Sequence, residues 1–218
     1  MAKKIIFILI IIIVWCAGAE VFDFEFAVMK YSGGGDWYEG LVGAKELMHY
    51  INRNTDIYCR VEPVTVEAGS SDIYYYPFLY MTGHGDVKFT DDERENIRNY
   101  LTSGGFLYAN DDYGMDKSFR REVKLMFPKT ELVEVPVTHG IFHSYYDFPG
   151  GLPKIHKHDG GEPKAFGIFY NKRLILFYSF NTDIGDGWAP YQVHKDPEDV
   201  RIEALKMGLN IIVHSMIQ

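Results

Sequence analysis

An α/β domain built on a mainly parallel sheet is the architecture this sequence predicts. Three observations predict it. Tyr76–Gly85 and Gly104–Gly114 are two apolar strand segments, each ending in a small polar cluster. The residues between them carry the pattern of one amphipathic helix, and a parallel pair of strands needs such a crossover. Further strand and helix patterns alternate along the rest of the chain, as in sheets covered on both faces.

The central helix has clear ends. Thr90-Asp91-Asp92-Glu93 reads as a capping box, in which Thr90 accepts from the Glu93 backbone and Glu93 reaches back. Ile97, Tyr100 and Leu101 form its inward stripe, and Ser103-Gly104-Gly105 stops it. Strands are expected over 78–82 and 105–110, side by side. In open α/β sheets ligands bind beyond the carboxyl ends of strands. The working face is therefore expected at Gly83-His84-Gly85 and Asn110-Asp111-Asp112.

At the start of the chain, Lys3 and Lys4 precede an unbroken apolar run, Ile5–Trp15, and Ala17-Gly18-Ala19 follows. That is the plan of a secretory signal peptide with cleavage near Ala19-Glu20. The run is short of the roughly 20 apolar residues a span needs; a membrane anchor made by an uncleaved N-terminus is the alternative. Expected, then, are a signal peptide over 1–19, one α/β domain over 20–218, a periplasmic or secreted location, and no integral span after cleavage. Loss of residues 1–19 removes two lysines and takes the formal charge from −8 to −10. Such an acidic chain is a poor partner for nucleic acid. Cys59 is then the one cysteine left, so no internal disulfide is expected, and it reads as a half-buried small hydrophobe.

The remaining elements follow in order. Phe22, Phe24, Phe26 and Val28 alternate with Asp23, Glu25 and Ala27, a first strand. Ser32–Asp36 is a glycine-rich loop that lacks the spacing and lysine of a phosphate loop, with Asp36 placed to cap the next helix. That helix runs to about Asn54. Val61–Val66, interrupted by Pro63, reads as an outer strand. Asp116–Phe127 is a helix stopped by Pro128; Arg120 flanks its inward stripe and is expected to hold one carboxylate of the 111–112 turn, leaving Asp112 to face the cleft, while Arg121 points to solvent. Glu131–Val135 is a short strand, and 139–148 is aromatic with no clean period. Pro149–Pro163 reads as a long surface loop. Phe166–Tyr170 and Leu174–Phe180 form a hairpin, and Asp196-Pro197 caps a long final helix.

Several residues are candidates for chemistry. His84 between glycines suits a base or ligand with close backbone approach, or a histidine bonding a loop carbonyl. Asp111 and Asp112 suit a general base, a metal ligand or acceptors for loop amides. His139 completes the catalytic candidates, with His84, Asp111 and Asp112. Gly83, Gly85, Asn110, Arg120, Asp183 and Trp188 are the ligand-binding candidates; Trp188 and the tyrosines near 145 would form an aromatic wall for sugars or peptides. Asp183 and Asp186 could join the 111–112 pair around a hard cation, although their spacing is no EF-hand loop. His156 and His158 read as solvated, since a zinc site would need a further ligand from elsewhere. No metal and no cofactor are expected.

Tyr31-Ser-Gly-Gly-Gly-Asp-Trp-Tyr38, Tyr76–Gly85, Gly104–Gly114 and Ser118-Phe-Arg-Arg-Glu122 together resemble the bacterial domain-of-unknown-function family 4159; His139, Ile141, Phe142 and Asp183–Trp188 add to the likeness. The resemblance implies a three-layer flavodoxin-like fold of the class I glutamine amidotransferase-like superfamily. Glutaminases of that superfamily carry a cysteine in a Gly-x-Cys-x-Gly turn after a strand. The matching turn is Asn110–Gly114, with Asp112 near the nucleophile's place, and it holds no cysteine. The thioester step therefore lacks its thiolate. Two functions stay open. One is a non-catalytic exported module binding a protein, peptide or glycan at the His84–Asp112 face. The other is a hydrolase using aspartate and histidine at that edge, with or without a divalent ion.

Overall fold

The structure is a computed structural model that describes residues 20–156, 158 and 160–218. The expected signal peptide, 1–19, lies outside the described residues. The strands are β1 (Ala27–Lys30), β2 (Val64–Glu67), β3 (Phe78–Gly83), β4 (Phe106–Asp111), β5 (Val133–Glu134), β6 (Lys164–Tyr170) and β7 (Arg173–Phe180). The helices are α1 (Gly40–Asn54), α2 (Asp91–Thr102), α3 (Asp116–Met126), α4 (Ile184–Trp188), α5 (Tyr191–His194) and α6 (Glu198–Ile217). Among the described residues these seven strands share one sheet in the order β2-β1-β3-β4-β7-β6-β5. The first five in that order run parallel, β6 runs antiparallel to β7, and β5 runs antiparallel to β6.

β3 and β4 pair in parallel from Phe78↔Phe106 to Gly83↔Asp111, and every residue of both is buried. Alternation along a strand sends successive side chains to opposite faces. Phe26, Val28, Phe78, Tyr80, Tyr108 and Phe177 pack with α1, α4 and α6; Leu79, Met81, Leu107, Ala109 and Tyr178 pack with α2 and α3. The sheet is thus covered on both faces, which is why its strands read as continuous apolar runs.

α2 starts with both halves of the expected capping box. It ends where Gly104 takes φ +128° and the Gly105 amide bonds the Tyr100 carbonyl. The β6–β7 hairpin turns on Asn171 and Lys172, both at positive φ, the two-residue geometry that matches strand twist.

Several expectations need correction. Strand pairing at the start is confined to Ala27–Lys30, with an isolated bridge at Phe24. Asp36 makes no helix-capping bond, and the Asp196 side chain caps nothing; α6 begins after Pro197 with no side-chain cap. Cys59 is fully buried. The 149–163 stretch is not a free surface loop. Leu152 and Ile155 sit in the core, the Ile155 amide bonds the Thr182 carbonyl, and Lys154 Nζ bonds Asn181 O and Oδ1 at 2.7 and 2.6 Å. The aromatic 139–148 segment docks on α6 through buried Asn210, which accepts from the Tyr145 and Tyr146 amides and donates to Tyr146 O.

Candidate functional site

The loops after β3, β4 and β7 leave the sheet at its carboxyl edge, because those strands are adjacent and parallel. The loops after β3 and β4 are neighbours: a Cβ on Gly114 would stand 3.8 Å from the Gly85 amide nitrogen. Their side chains diverge. His84 is exposed and turns to the glycine-rich loop, with Nδ1 3.1 Å from Asp36 Oδ2; Asp36 Oδ1 accepts the His84 amide at 2.5 Å. Gly83 sits at φ +141°, and a Cβ there would lie 2.4 Å from Tyr31 Oη. That close packing needs glycine. Gly85, at φ +84°, continues the same tight turn.

The acidic turn divides its work differently from the expectation. Both acids are buried, but Asp112 turns inward, where it takes short hydrogen bonds from Thr82 Oγ1 and Asn110 Nδ2. Burial, helped by the nearby Asp186 charge, raises the Asp112 pKa well above the ordinary carboxylate value. Asn110 is tied into the same net, with its Oδ1 accepting from Ser179 Oγ and Tyr108 Oη at 2.9 and 3.2 Å. Asp111 instead lines a cleft, while its Oδ1 accepts the Met115 amide at 2.9 Å. Its burial pushes the pKa up to about 6.

Arg120 does not reach either acid. Its Nε bonds Asp116 Oδ1 at 2.6 Å, and its guanidinium lies 4.2 Å from the centre of the Phe166 ring. Nor does Arg121 stand free in solvent, since it bonds Val87 O and Glu122. His139 is remote from the carboxyl edge. It packs on Phe169 and on His214, which in turn contacts Phe106, the first residue of β4. His139 therefore lies towards the amino ends of the strands. Trp188 is a core residue, 1% exposed, with its indole N–H on Ala204 O at 2.9 Å and its ring among Phe26, Tyr80 and Tyr108. It forms no wall.

The cleft, of about 310 Å³, opens between the β4–α3 and β7–α4 turns. Asp111, Asp116, Lys117, Asn181, Asp183 and His158 supply its polar lining, with Tyr113 and Phe180 beside them. Tyr113 holds φ +82° and stacks on His158, ring centres 4.5 Å apart. Asp183, also at positive φ, is 1% exposed. Its Oδ2 receives His156 Nδ1 at 3.1 Å and a shorter contact from His158 Nε2. His156 Nε2 lies 3.0 Å from Asp196 Oδ1. Hydrogen bonds to Asp183 and Asp186, with the Asp196 charge, raise the His156 pKa to about 10. Two histidines that read as solvated thus meet one buried acid, a set of ligand type that the sequence reading did not foresee. The His-x-His spacing was the available signal; Asp196, forty residues on, offered none.

These features define an α/β protein with a polar cleft at the carboxyl edge of a mostly parallel sheet. More particularly, the chain belongs to the family DUF4159, described as "Domain of unknown function", whose pattern matches residues 25–216. No curated protein matches it. Among the described residues, no helix is long and apolar enough to cross a membrane.

Proposed function

We propose that this chain is an exported binding module of the three-layer, flavodoxin-like and class I glutamine amidotransferase-like type, and that its cleft between β4 and β7 takes a glycan. The parallel strand order β2-β1-β3-β4-β7 supports the fold reading, since it repeats the order 2-1-3-4-5 of flavodoxin-like sheets. Export rests on the Lys3–Ala19 pattern. Glutaminase chemistry finds no thiol here: buried Asp112 stands at the expected nucleophile turn, and burial pushes the distant Cys59 thiol up to about 12.

The observation that carries the binding reading is Tyr113. A bulky residue held at positive φ is strained, and such strain gathers at ligand clamps where the surroundings over-determine it. Here the strained residue presents a ring, stacked on His158, in a cleft also lined by carboxylates, an amide and an ammonium. Carboxylates accept from hydroxyls, and the apolar face of a sugar rests on aromatic rings. At about 310 Å³ the cleft stands at the small end of the roughly 300–1,000 Å³ typical of ligand sites, a seat for a sugar unit rather than for a folded partner. Calorimetric titration with glucose and N-acetylglucosamine oligomers tests this. Wild type should bind at least one series and Tyr113→Ala should bind it at least tenfold more weakly; equal affinity in the two proteins would remove the cleft from the account.

One observation favours a hydrolase as the second reading. Asp111 has a pKa near 6 at the cleft wall, close to the range in which a carboxyl can exchange protons during turnover. Release of nitrophenol from aryl glycosides by wild type, abolished in Asp111→Asn, would establish it; no turnover leaves binding alone.

A further inference from the structure

The floor of the cleft holds a constellation that glycan binding does not explain. Asp183 is buried, yet its Oδ1 has no hydrogen-bond partner among the described residues. An unpaired buried carboxylate oxygen is costly and calls for a compensating group. Its other oxygen faces the ring nitrogens of two histidines at once. One donor atom each from His156, His158 and Asp183 lies within 4.8 Å of the others.

We propose that this cluster is a zinc-type site, in which His156 Nδ1, His158 Nε2 and the Asp183 carboxylate bind one divalent transition-metal ion. Bonds of about 2.0–2.1 Å at tetrahedral angles set neighbouring ligand atoms roughly 3.3 Å apart. The His156 Nδ1–Asp183 Oδ2 distance of 3.1 Å is already near that spacing, whereas the closer His158 Nε2–Asp183 Oδ2 contact opens as an ion enters. Two imidazoles select zinc and its neighbours over magnesium or calcium, which prefer oxygen.

The surroundings are those a metal-ligating histidine needs. With Nδ1 turned to the ion, His156 Nε2–H points at Asp196, whose two oxygens lie 3.0 and 3.1 Å away. A carboxylate behind the ligand fixes its tautomer and strengthens it as a donor. Asp196 is itself buried and caps no helix, which leaves this as its evident role. Asp186 Oδ2 stands 3.5 Å from His156 Nδ1 and adds a further negative charge, while His194 lies 3.7 Å from its other oxygen. The turn is preorganised: Lys154 and Ile155 bond Asn181 and Thr182, tying the histidine loop to the strand end that carries Asp183. Because Asp183 and His158 line the cleft, the fourth position opens into it and falls to water or to a ligand oxygen. The inference deepens the reading of the cleft as a ligand site and rests on it only for that fourth position.

Zinc chloride titrated calorimetrically into chelator-stripped mature protein tests the site, with cobalt absorption as a second readout. Wild type should take up one equivalent and give the visible bands of tetrahedral cobalt. His158→Ala, altered at the most exposed ligand, should keep its melting profile and lose both signals. Asp196→Asn should retain the site with about 10- to 100-fold weaker affinity, the usual loss for a partner behind a ligand. His143→Ala, at an exposed histidine paired with Asp147 elsewhere, should bind as wild type does. Absence of saturable zinc uptake by wild type would overturn the proposal, as would equal affinity in wild type and His158→Ala. Binding of calcium in preference to zinc would also overturn it. Oligosaccharide titration of the stripped protein separates the two ideas: sugar binding without zinc uptake leaves the glycan reading standing and removes the metal.

Discussion

Replacing Trp188 by alanine distinguishes a core post from a ligand wall. The indole lies in the layer between the sheet and α6, with ring centres 5.3 Å from Tyr80, 6.0 Å from Tyr108 and 6.2 Å from Phe26. Its N–H donates to Ala204 O on α6. Gly208 makes room for the indole, since a Cβ there would come 2.8 Å from its nitrogen, and Gly43 lets α1 approach α4, since a Cβ there would come 2.7 Å from Gly185 O. α4 is therefore wedged against α1 and α6 through its last residue. Removing a buried aromatic side chain costs about 3–5 kcal/mol, the transfer loss plus the cavity left behind. For a chain of this length each kcal/mol moves the melting midpoint by about 2–4 °C, so Trp188→Ala should melt about 6–20 °C below wild type. Trp188→Phe keeps most of the volume and forfeits the hydrogen bond, about 1 kcal/mol, plus a smaller void; it should fall between the two. Calorimetric melts at neutral pH measure both. A Trp188→Ala melt within about 2 °C of wild type, accompanied by weakened oligosaccharide binding, would refute the core assignment.

Arg120→Ala should cost little, about 0.8–1.5 kcal/mol: a half-exposed i,i+4 pair with Asp116 contributes about 0.3–0.5 and the guanidinium over Phe166 about 0.5–1. Urea unfolding checks it, and a loss above about 3 kcal/mol would mean a buried pairing that the geometry lacks. His214 is held near pKa 4, first by burial and then by facing His139, well below the unfolded value of about 6.5. The unfolded chain then binds the proton first, so the contribution of neutral His214 is whole above pH 6.5 and fades as pH falls towards 4. His214→Phe should therefore gain on wild type in unfolding midpoint between pH 7 and pH 4.5; a gap that does not change with pH would contradict this.

The sheet was legible because its central strands are buried on both faces and the crossover helix between β3 and β4 carries its own start and stop signals. Phe78–Gly83 and Phe106–Asp111 are near-continuous apolar runs, and Thr90 and Glu93 announce α2 locally. The carboxyl edge was equally legible, since two polar clusters after adjacent parallel strands must leave by one side. Which side chain turns where was not. Asp111 and Asp112 are chemically identical in sequence, and only Thr82 and Asn110, from the neighbouring strand and the same strand, decide that Asp112 turns inward while Asp111 lines the cleft. Arg120 was drawn to Asp116 by the i,i+4 spacing within its own helix, a local pairing that beats a longer reach. His156 and His158 found their acid through a loop pinned by Lys154, a contact between residues 27 apart that has no periodicity. Asp196 stood before a proline where capping was the economical reading, yet it turned to the histidine instead.

Chemical-shift mapping of the protein with the tightest-binding oligosaccharide of the glucose and N-acetylglucosamine series tests the central claim most directly. The account predicts amide perturbations confined to the cleft turns, at Asp111–Lys117, His158 and Phe180–Asp183. Perturbations centred instead on the Gly33–His84 loops, or on the Arg53–Ile57 groove beside Tyr145, would contradict it, as would a spectrum unchanged across the whole series.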